Sequence, residues 1–240
     1  MKRFFGLGLL LASLGVEAAQ MTELRYQDQD AGGEPYATRF LMTDRYLRMD
    51  SGGDNDDFVL FDRKTRQAVN VLHGQRILMY MRNKPLPSTR PFEYKVEEIV
   101  TPVNKSTVRV LIRAANNTCS ESVAAKGLLP DAVRALTEFK AALAYTQWQT
   151  YSGTPEDLRQ VCDLVHHVWE SGRALSYGLP IEERDYSGKV RMFSGHQARR
   201  LKPALFRLPK GYVEMQPPEN EQSGSGQAGS NAQPASVQAR

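Results

Sequence analysis

Cysteine, histidine and tryptophan are scarce in this 240-residue chain, numbering two, four and two. Each scarcity narrows the chemistry. A zinc site needs converging ligands, as in a His-x-x-x-His pair on one helix face, and His73, His166, His167 and His196 contain no such pair. His166 and His167 are neighbours whose side chains would point about 100° apart on a helix. Exposed or helix-flanking histidines are the simpler reading, and no metal is expected. Cys119 and Cys162 lack the Cys-x-x-Cys spacing of reactive dithiols. No G-x-S-x-G nucleophile elbow occurs. Gly224, Gly226 and Gly229 do spell G-x-G-x-x-G, but no strand leads into them and no helix follows, so the match is fortuitous and no cofactor is expected. The acidic stretch with Asp50, Asp54, Asp56 and Asp57 lacks the ligand order of a calcium loop and reads as a solvated hairpin turn. No enzymatic activity is expected.

Strong charge of one sign is also missing. Lys and Arg number 31 against 27 Asp and Glu, a net charge of +4, with no basic stripe interleaved with aromatics, which speaks against a nucleic-acid partner. Past Val16 no apolar run approaches the roughly 20 residues of a membrane helix, so the chain is not expected to span a bilayer.

What is present begins at the N-terminus. Met1, Lys2 and Arg3 give a positive start, Phe4 to Val16 an apolar run, and Val16-Glu17-Ala18 a small-residue cleavage site without a lipidation cysteine. These features predict residues 1–18 to be a signal peptide removed after about Ala18, and a soluble periplasmic product with no lipid anchor. In such an oxidising compartment an even pair of cysteines bridges. A Cys119–Cys162 disulfide would stabilise the fold by roughly 3 to 4 kcal/mol in the chain-entropy model. Two separate buried thiols are the alternative. From residue 216 to residue 240, Pro, Gln, Ser, Gly and Ala dominate, so this polar tail cannot repay the entropy of ordering and is expected to be disordered.

Residues 19–215 read as one domain. Short strands separated by turn signals are predicted at 22–27, 36–43, 46–50, 58–62, 68–72, 76–81, 92–100 and 107–114. Val108, Val110 and Ile112 alternate with polar neighbours, giving one buried face, whereas Phe58-Val59-Leu60-Phe61 and Ile77-Leu78-Met79-Tyr80-Met81 are apolar on both. Between about 130 and 172 the period changes. Ala132, Leu136, Phe139 and Leu143 recur at helical spacing, with Trp148 and Tyr151 widening the stripe. Thr154-Pro155-Glu156-Asp157 resembles a helix start with Thr as cap, and Leu158, Val161, Cys162, Val165 and Trp169 then share a face up to Gly172. Cys119, just past a strand, would staple this second helix to the sheet. Strands return at 181–186, 189–194 and 196–202, with a last pair around 204–208 and 212–215.

The segment Phe40-Leu41-Met42-Thr43-Asp44-Arg45-Tyr46-Leu47-Arg48-Met49-Asp50, then Phe58-Val59-Leu60-Phe61-Asp62-Arg63-Lys64-Thr65-Arg66-Gln67, resembles the exported DUF4412-type domains, relatives of the LolA/LolB-like lipoprotein carriers. The closing Phe206-Arg207-Leu208-Pro209-Lys210-Gly211-Tyr212 is similar to the end of such domains. The resemblance implies an α+β fold: a strongly curved antiparallel sheet, or half-barrel, with the two inserted helices packed on its concave side. It implies no catalytic residues. In the carriers the hollow receives acyl chains. This chain departs from them in entering its first strand almost directly after the leader, in its longer helical insertion and in its loose tail.

The corresponding expectation is a binding module that buries an acyl chain, lipid or lipidated partner. Each methylene withdrawn from water contributes about 0.8 kcal/mol, so burial alone suffices. Candidate lining residues are Phe40, Met42, Phe58, Leu60, Met79 and Met81, with Trp148 and Trp169 as helical plugs; ordinary core packing is the alternative for each. Arg199, Arg200 and Lys202 are candidates for an anionic headgroup, or a charged guard on an edge strand. A self-filled core with an apolar exterior that docks an envelope protein is the rival reading.

Overall fold

The computed structural model describes residues 19–216, so the predicted signal peptide, the glycine motif at 224–229 and nearly all of the predicted tail lie outside the described residues. Within them, twelve strands form one sheet that does not close on itself. These are β1 (Gln20–Gln29), β2 (Tyr36–Met42), β3 (Tyr46–Asp50), β4 (Phe58–Asp62), β5 (Gln67–Leu72), β6 (Ile77–Tyr80), β7 (Val96–Pro102), β8 (Thr107–Ala114), β9 (Asn117–Ala125), β10 (Leu179–Asp185), β11 (Val190–Arg200) and β12 (Val213–Met215). Their order is β12-β6-β5-β4-β3-β2-β1-β11-β10-β9-β8-β7. Ten of the neighbouring pairs are antiparallel; β12 runs parallel to β6. Two meanders are thus joined where β11 returns beside β1. With helix α1 (Pro130–Gly153) and the shorter helical pieces between β9 and β10, the fold is α+β.

Alternation decides the faces. On the helix face of β1–β6, Leu24, Tyr26, Phe40, Met42, Leu47 and Phe61 meet Ala132, Ala135, Leu136 and Phe139 of α1. On the outer face, Met21, Leu41, Phe58, Leu60, Val69 and Val71 are covered by the connecting segment 201–212 through Leu205 and Phe206. Strands apolar on both sides are therefore covered on both sides. Over β8 and β9 the helix face buries Val108, Val110, Ile112 and Ala124 against Val165.

Several predicted elements are placed differently. The stretch 117–125 is a strand, β9, although its Asn, Glu and Ala residues have little intrinsic strand preference; hydrogen-bonding neighbours on both sides supply what these side chains do not. Cys119 accordingly lies inside a strand. The single helix predicted from 154 breaks into a 3-10 turn (Glu156–Leu158), an α-turn (Val161–Asp163) and a π-helix (Leu164–Trp169). Thr154 caps no helix N-terminus. Its hydroxyl donates to Thr150 O at the end of α1, and Arg159 donates to Thr154 O and Ser152 O, so this segment finishes α1 and leaves Leu158 exposed. The second helix begins instead at Gln160, whose N–H donates to the Asp163 carboxylate at 3.0 Å.

Strands predicted at 189–194 and 196–202 are one strand, β11, with a bulge: Arg25 faces Gly195 and Tyr26 faces Phe193. Gly195 takes φ of 146° there, a conformation open to glycine. The stretch 204–208 contains part of a 3-10 turn (Pro203–Phe206) rather than a strand, and β12 pairs with β6 instead. Residues 92–95 precede β7 without joining it. Gly178, with φ of 131°, turns the chain into β10; a Cβ there would lie 2.3 Å from Ala125 O. The disulfide joins Cys119 to Cys162 with Cα atoms 4.9 Å apart, tying the α-turn that opens the second helical segment to β9. No helix among the described residues is long and apolar enough to cross a membrane.

Candidate functional site

Where β1 begins, β2 turns into β3 and β11 ends, the two apolar cores reach the surface around one cavity of 550 Å³. Met42 and Ala132 bring the helix-face core to it; Met21, Leu201 and Phe206 bring the outer-face core. Tyr46 stacks on Phe206 with ring centroids 6.0 Å apart, making an aromatic wall. Local sequence explains the wall: the Thr43-Asp44-Arg45 turn, closed by Thr43 N–H donating to Tyr46 O at 2.9 Å, presents Tyr46 on the outer face.

Cations frame the mouth. Arg63 donates to Glu138 at 2.7 Å and to Thr43 O at 3.0 Å, which locks the β2–β3 turn to α1. Arg45 pairs with Asp62 at 3.0 Å and lies 4.9 Å from the Tyr46 ring centre. Burial resists ionisation of Asp62, but the Thr65 N–H, Arg45 and the Lys64 N–H outweigh it and hold the carboxyl below the ordinary range. Arg207 lines the cavity, is exposed, and has no ion pair among the described residues. The arrangement offers an apolar recess with positive charge at its edge and no convergent acid–base pair. A recess of this size falls within the range of about 300–1,000 Å³ typical of small-molecule pockets.

The predicted lining residues do not converge on one hollow. Phe40 and Met42 are buried beside α1, with Met81 packed at the edge of that core, while Phe58 and Leu60 belong to the outer-face core. Met79, half-buried on β6, shares the helix-face parity of Val59 and Asn70 and joins neither group directly. Trp148 and Trp169 meet edge to face at 5.2 Å in a separate cluster with Tyr151, Leu164 and Val168. Only Met42 lines the cavity. Its other walls come from residues whose sequence signal is weak, being the ends of strands and the irregular 201–207 stretch.

The predicted headgroup cations also separate. Arg199 pairs with buried Glu23 at 2.9 Å and Lys202 with Asp54 at 3.1 Å. Arg200 is exposed at the end of β11, opposite Gln20.

The acidic loop is not simply solvated. Asp50 is buried and accepts from Arg39 at 2.8 and 2.9 Å, from Arg48 at 2.6 Å and from the Gly52 N–H at 3.0 Å. The hydrogen bond to Asp50 raises the Arg39 pKa against the pull of burial. Arg48 also donates to Leu205 O and Asp54 O, both at 3.0 Å, and its guanidinium lies 3.8 Å from the centre of Phe58. Asp56 accepts from Ser51 and the Gly53 N–H, and Asp57 from the His73 N–H. This network clamps segment 201–212 to the sheet through the Arg48 bond to Leu205 O. It was legible in one respect: a hairpin through 43–45 places Arg39 opposite Asp50.

On the helix face a second polar group surrounds His166. Burial drives its pKa well below the ordinary histidine value, Lys140 and His167 push the same way, and Asp185, 4.0 Å off, opposes them. Asp28, on the same face, is paired with Arg191 at 2.6 Å and accepts from Thr38 at 2.9 Å. Among the described residues no cluster of three or more His, Cys, Asp or Glu side chains could hold a metal.

No protein-family model matches this chain. No curated protein matches it. Among solved structures it is similar to PNGF-II in space groups C2 and P21, each with a TM-score of 0.41 at 11% identity. These matches cover 83% of this chain and 31% and 32% of the respective PNGF-II chains, so this chain spans about a third of their length. That likeness assigns it neither a family nor an activity.

Proposed function

We propose that this chain is a soluble, exported binding protein of the DUF4412 type that works in the periplasm and accommodates an acyl chain, a lipid or a lipidated partner by burial, without catalysis. On this reading the sheet is the curved half-barrel of the LolA/LolB-like carriers. Its hollow is occupied by α1, and the ligand instead enters the strand-end cavity. The single observation that supports it is the 550 Å³ recess walled by Met21, Met42, Tyr46, Leu201 and Phe206 with Arg45 and Arg207 at its edge. Methionines suit it, because an unbranched thioether adapts to a flexible chain.

The second reading, a protein-docking envelope module, draws on a different observation: α1 and segment 201–212 already bury Phe40, Phe58 and Leu60. One experiment separates the two. Protein prepared from the envelope without detergent is extracted and weighed by mass spectrometry, and Ala198→Trp, at an exposed position on the cavity wall, is prepared alongside. Stoichiometric lipid in the wild type and its loss in the variant support carriage. An empty wild type with a co-purified protein supports docking.

A further inference from the structure

The β1–β6 half of the sheet is electrically lopsided along its strands. One end gathers the start of β1, the 43–45 turn, the 63–66 turn and the end of β11, as the register dictates: Gln20 opposite Arg200, Thr22 opposite Met42, Tyr46 opposite Asp62, and Asp62 opposite Gln67. Arg63 N–H donates to Arg45 O at 2.8 Å, joining the two turns. Here Lys64, Arg66, Arg200 and Arg207 have no ion pair among the described residues, and Lys64, Arg200 and Arg207 are exposed. The acids at this end are largely engaged: Asp62 with Arg45, Glu138 with Arg63, Asp131 with Arg134, leaving Asp44 exposed. The opposite strand ends present Asp30, Glu34, Asp56 and Asp57, where Lys189 pairs with Asp30 at 3.5 Å and Arg76 is an exposed cation.

We infer that the basic strand ends form a docking surface for an anionic lipid bilayer, with the mouth of the cavity turned toward the headgroups. Charge complementarity is the first argument. Each Lys or Arg held near an anionic membrane surface contributes about 1 kcal/mol, and four unpaired cations on one rim therefore sum to useful attachment. The second is placement: the apolar cavity lined by Ala19, whose carbonyl accepts from Leu201 N–H at 2.8 Å, opens on the same rim as Arg45 and Arg207. A nucleic acid would ask for aromatic side chains between the cations, and the exposed rim supplies none beyond Tyr46 at the cavity wall.

The inference is tested by flotation with vesicles of phosphatidylcholine alone or mixed with phosphatidylglycerol, using protein recovered from the envelope with the N-terminus it carries there. Binding is expected only to the mixed vesicles and is expected to fall with salt, as screening demands. The Lys64→Gln/Arg66→Gln double variant is expected to bind roughly 25-fold more weakly, about fivefold for each cation removed. Arg113→Gln/Arg184→Gln, the same charge change away from the rim, is expected to leave binding intact. Equal binding to neutral vesicles, equal loss in both double variants, or preferential capture of a single-stranded oligonucleotide overturns the inference. Ala198→Trp keeps the two proposals apart: a filled cavity abolishes lipid carriage but leaves vesicle docking unchanged.

Discussion

The two halves of the sheet are held by different means. Strands β1–β6 are sandwiched between α1 and segment 201–212 and carry a satisfied ionic network within the outer layer. Strands β7–β11 have helical cover on one face only. On the other, Arg109 pairs with Glu121, Ile99 is 47% exposed and Met192 42%. The half with two covering layers needs no covalent aid. The half with one is tied to its cover by the chain's single disulfide. A sheet face left to water contributes little apolar burial, and a crosslink offsets that by restricting the unfolded chain.

The comparison breaks most severely at Asp50. Removing its carboxylate strands Arg39 and Arg48 inside the structure, and losing one partner of a buried charged group costs about 3–5 kcal/mol. Asp50→Ala is expected to lower the unfolding free energy measured in urea by that amount, and Asp50→Asn, which keeps the shape without the charge, by nearly as much. Because Arg48 also holds Leu205 O, hydrogen exchange should show segment 201–212 released together with β3. A loss below about 1 kcal/mol would mean that the network is solvated, contrary to its burial.

The next effect lies in the other half. Replacing both cysteines by serine removes a crosslink across 43 residues, expected to cost about 3 to 4 kcal/mol. Faster amide exchange should concentrate in β8, β9 and 161–169, with β2–β5 little changed. Uniform acceleration across both halves would show that the sheet unfolds as one unit and that the two-region description fails.

Legibility followed burial pattern. Strands β3, β4 and β8 were readable to the residue, because alternating or doubly apolar runs sat between strong turn signals. The strand β9 was hidden by its Ser and Ala residues, whose small size suits a layer lying beneath the disulfide and the π-helix. The Thr154-Pro155 signal is a genuine helix-start pattern, but Pro155 follows a residue whose N–H already closes α1 through Thr150 O and Tyr151 O. Sequence carries the local preference and not which neighbour claims the group. The candidate cavity was illegible for a related reason. It is assembled from strand ends and the 201–207 stretch, which have no period, whereas the predicted hollow relied on apolar strand residues that packing consumes.

The smallest expected effect sits in the singly covered half, at His166. The ring is neutral in the fold, pressed down by burial, by Lys140 and by His167, with Arg191 adding to them and Asp185 only partly compensating. An unfolded chain takes up a proton near pH 6.5, so the unfolded state binds more protons below that value. Stability should be full above about pH 7 and should decline as pH falls from about 6.5 toward 5. Asp28 moves in a separate window. Burial resists its ionisation, but Arg191 outweighs burial and sets its carboxyl low, so its contribution persists until pH falls below about 4. His167, lowered by burial and Lys140, adds a smaller loss in the same window as His166. His166→Gln carries no titrating proton, and its urea midpoint should vary less between pH 7 and pH 5 than that of the wild type. If hydrogen exchange locates the wild-type loss in 161–169 and β10, the singly covered half yields first. If it appears in β1–β5 instead, the doubly covered half is the weaker one and the comparison reverses.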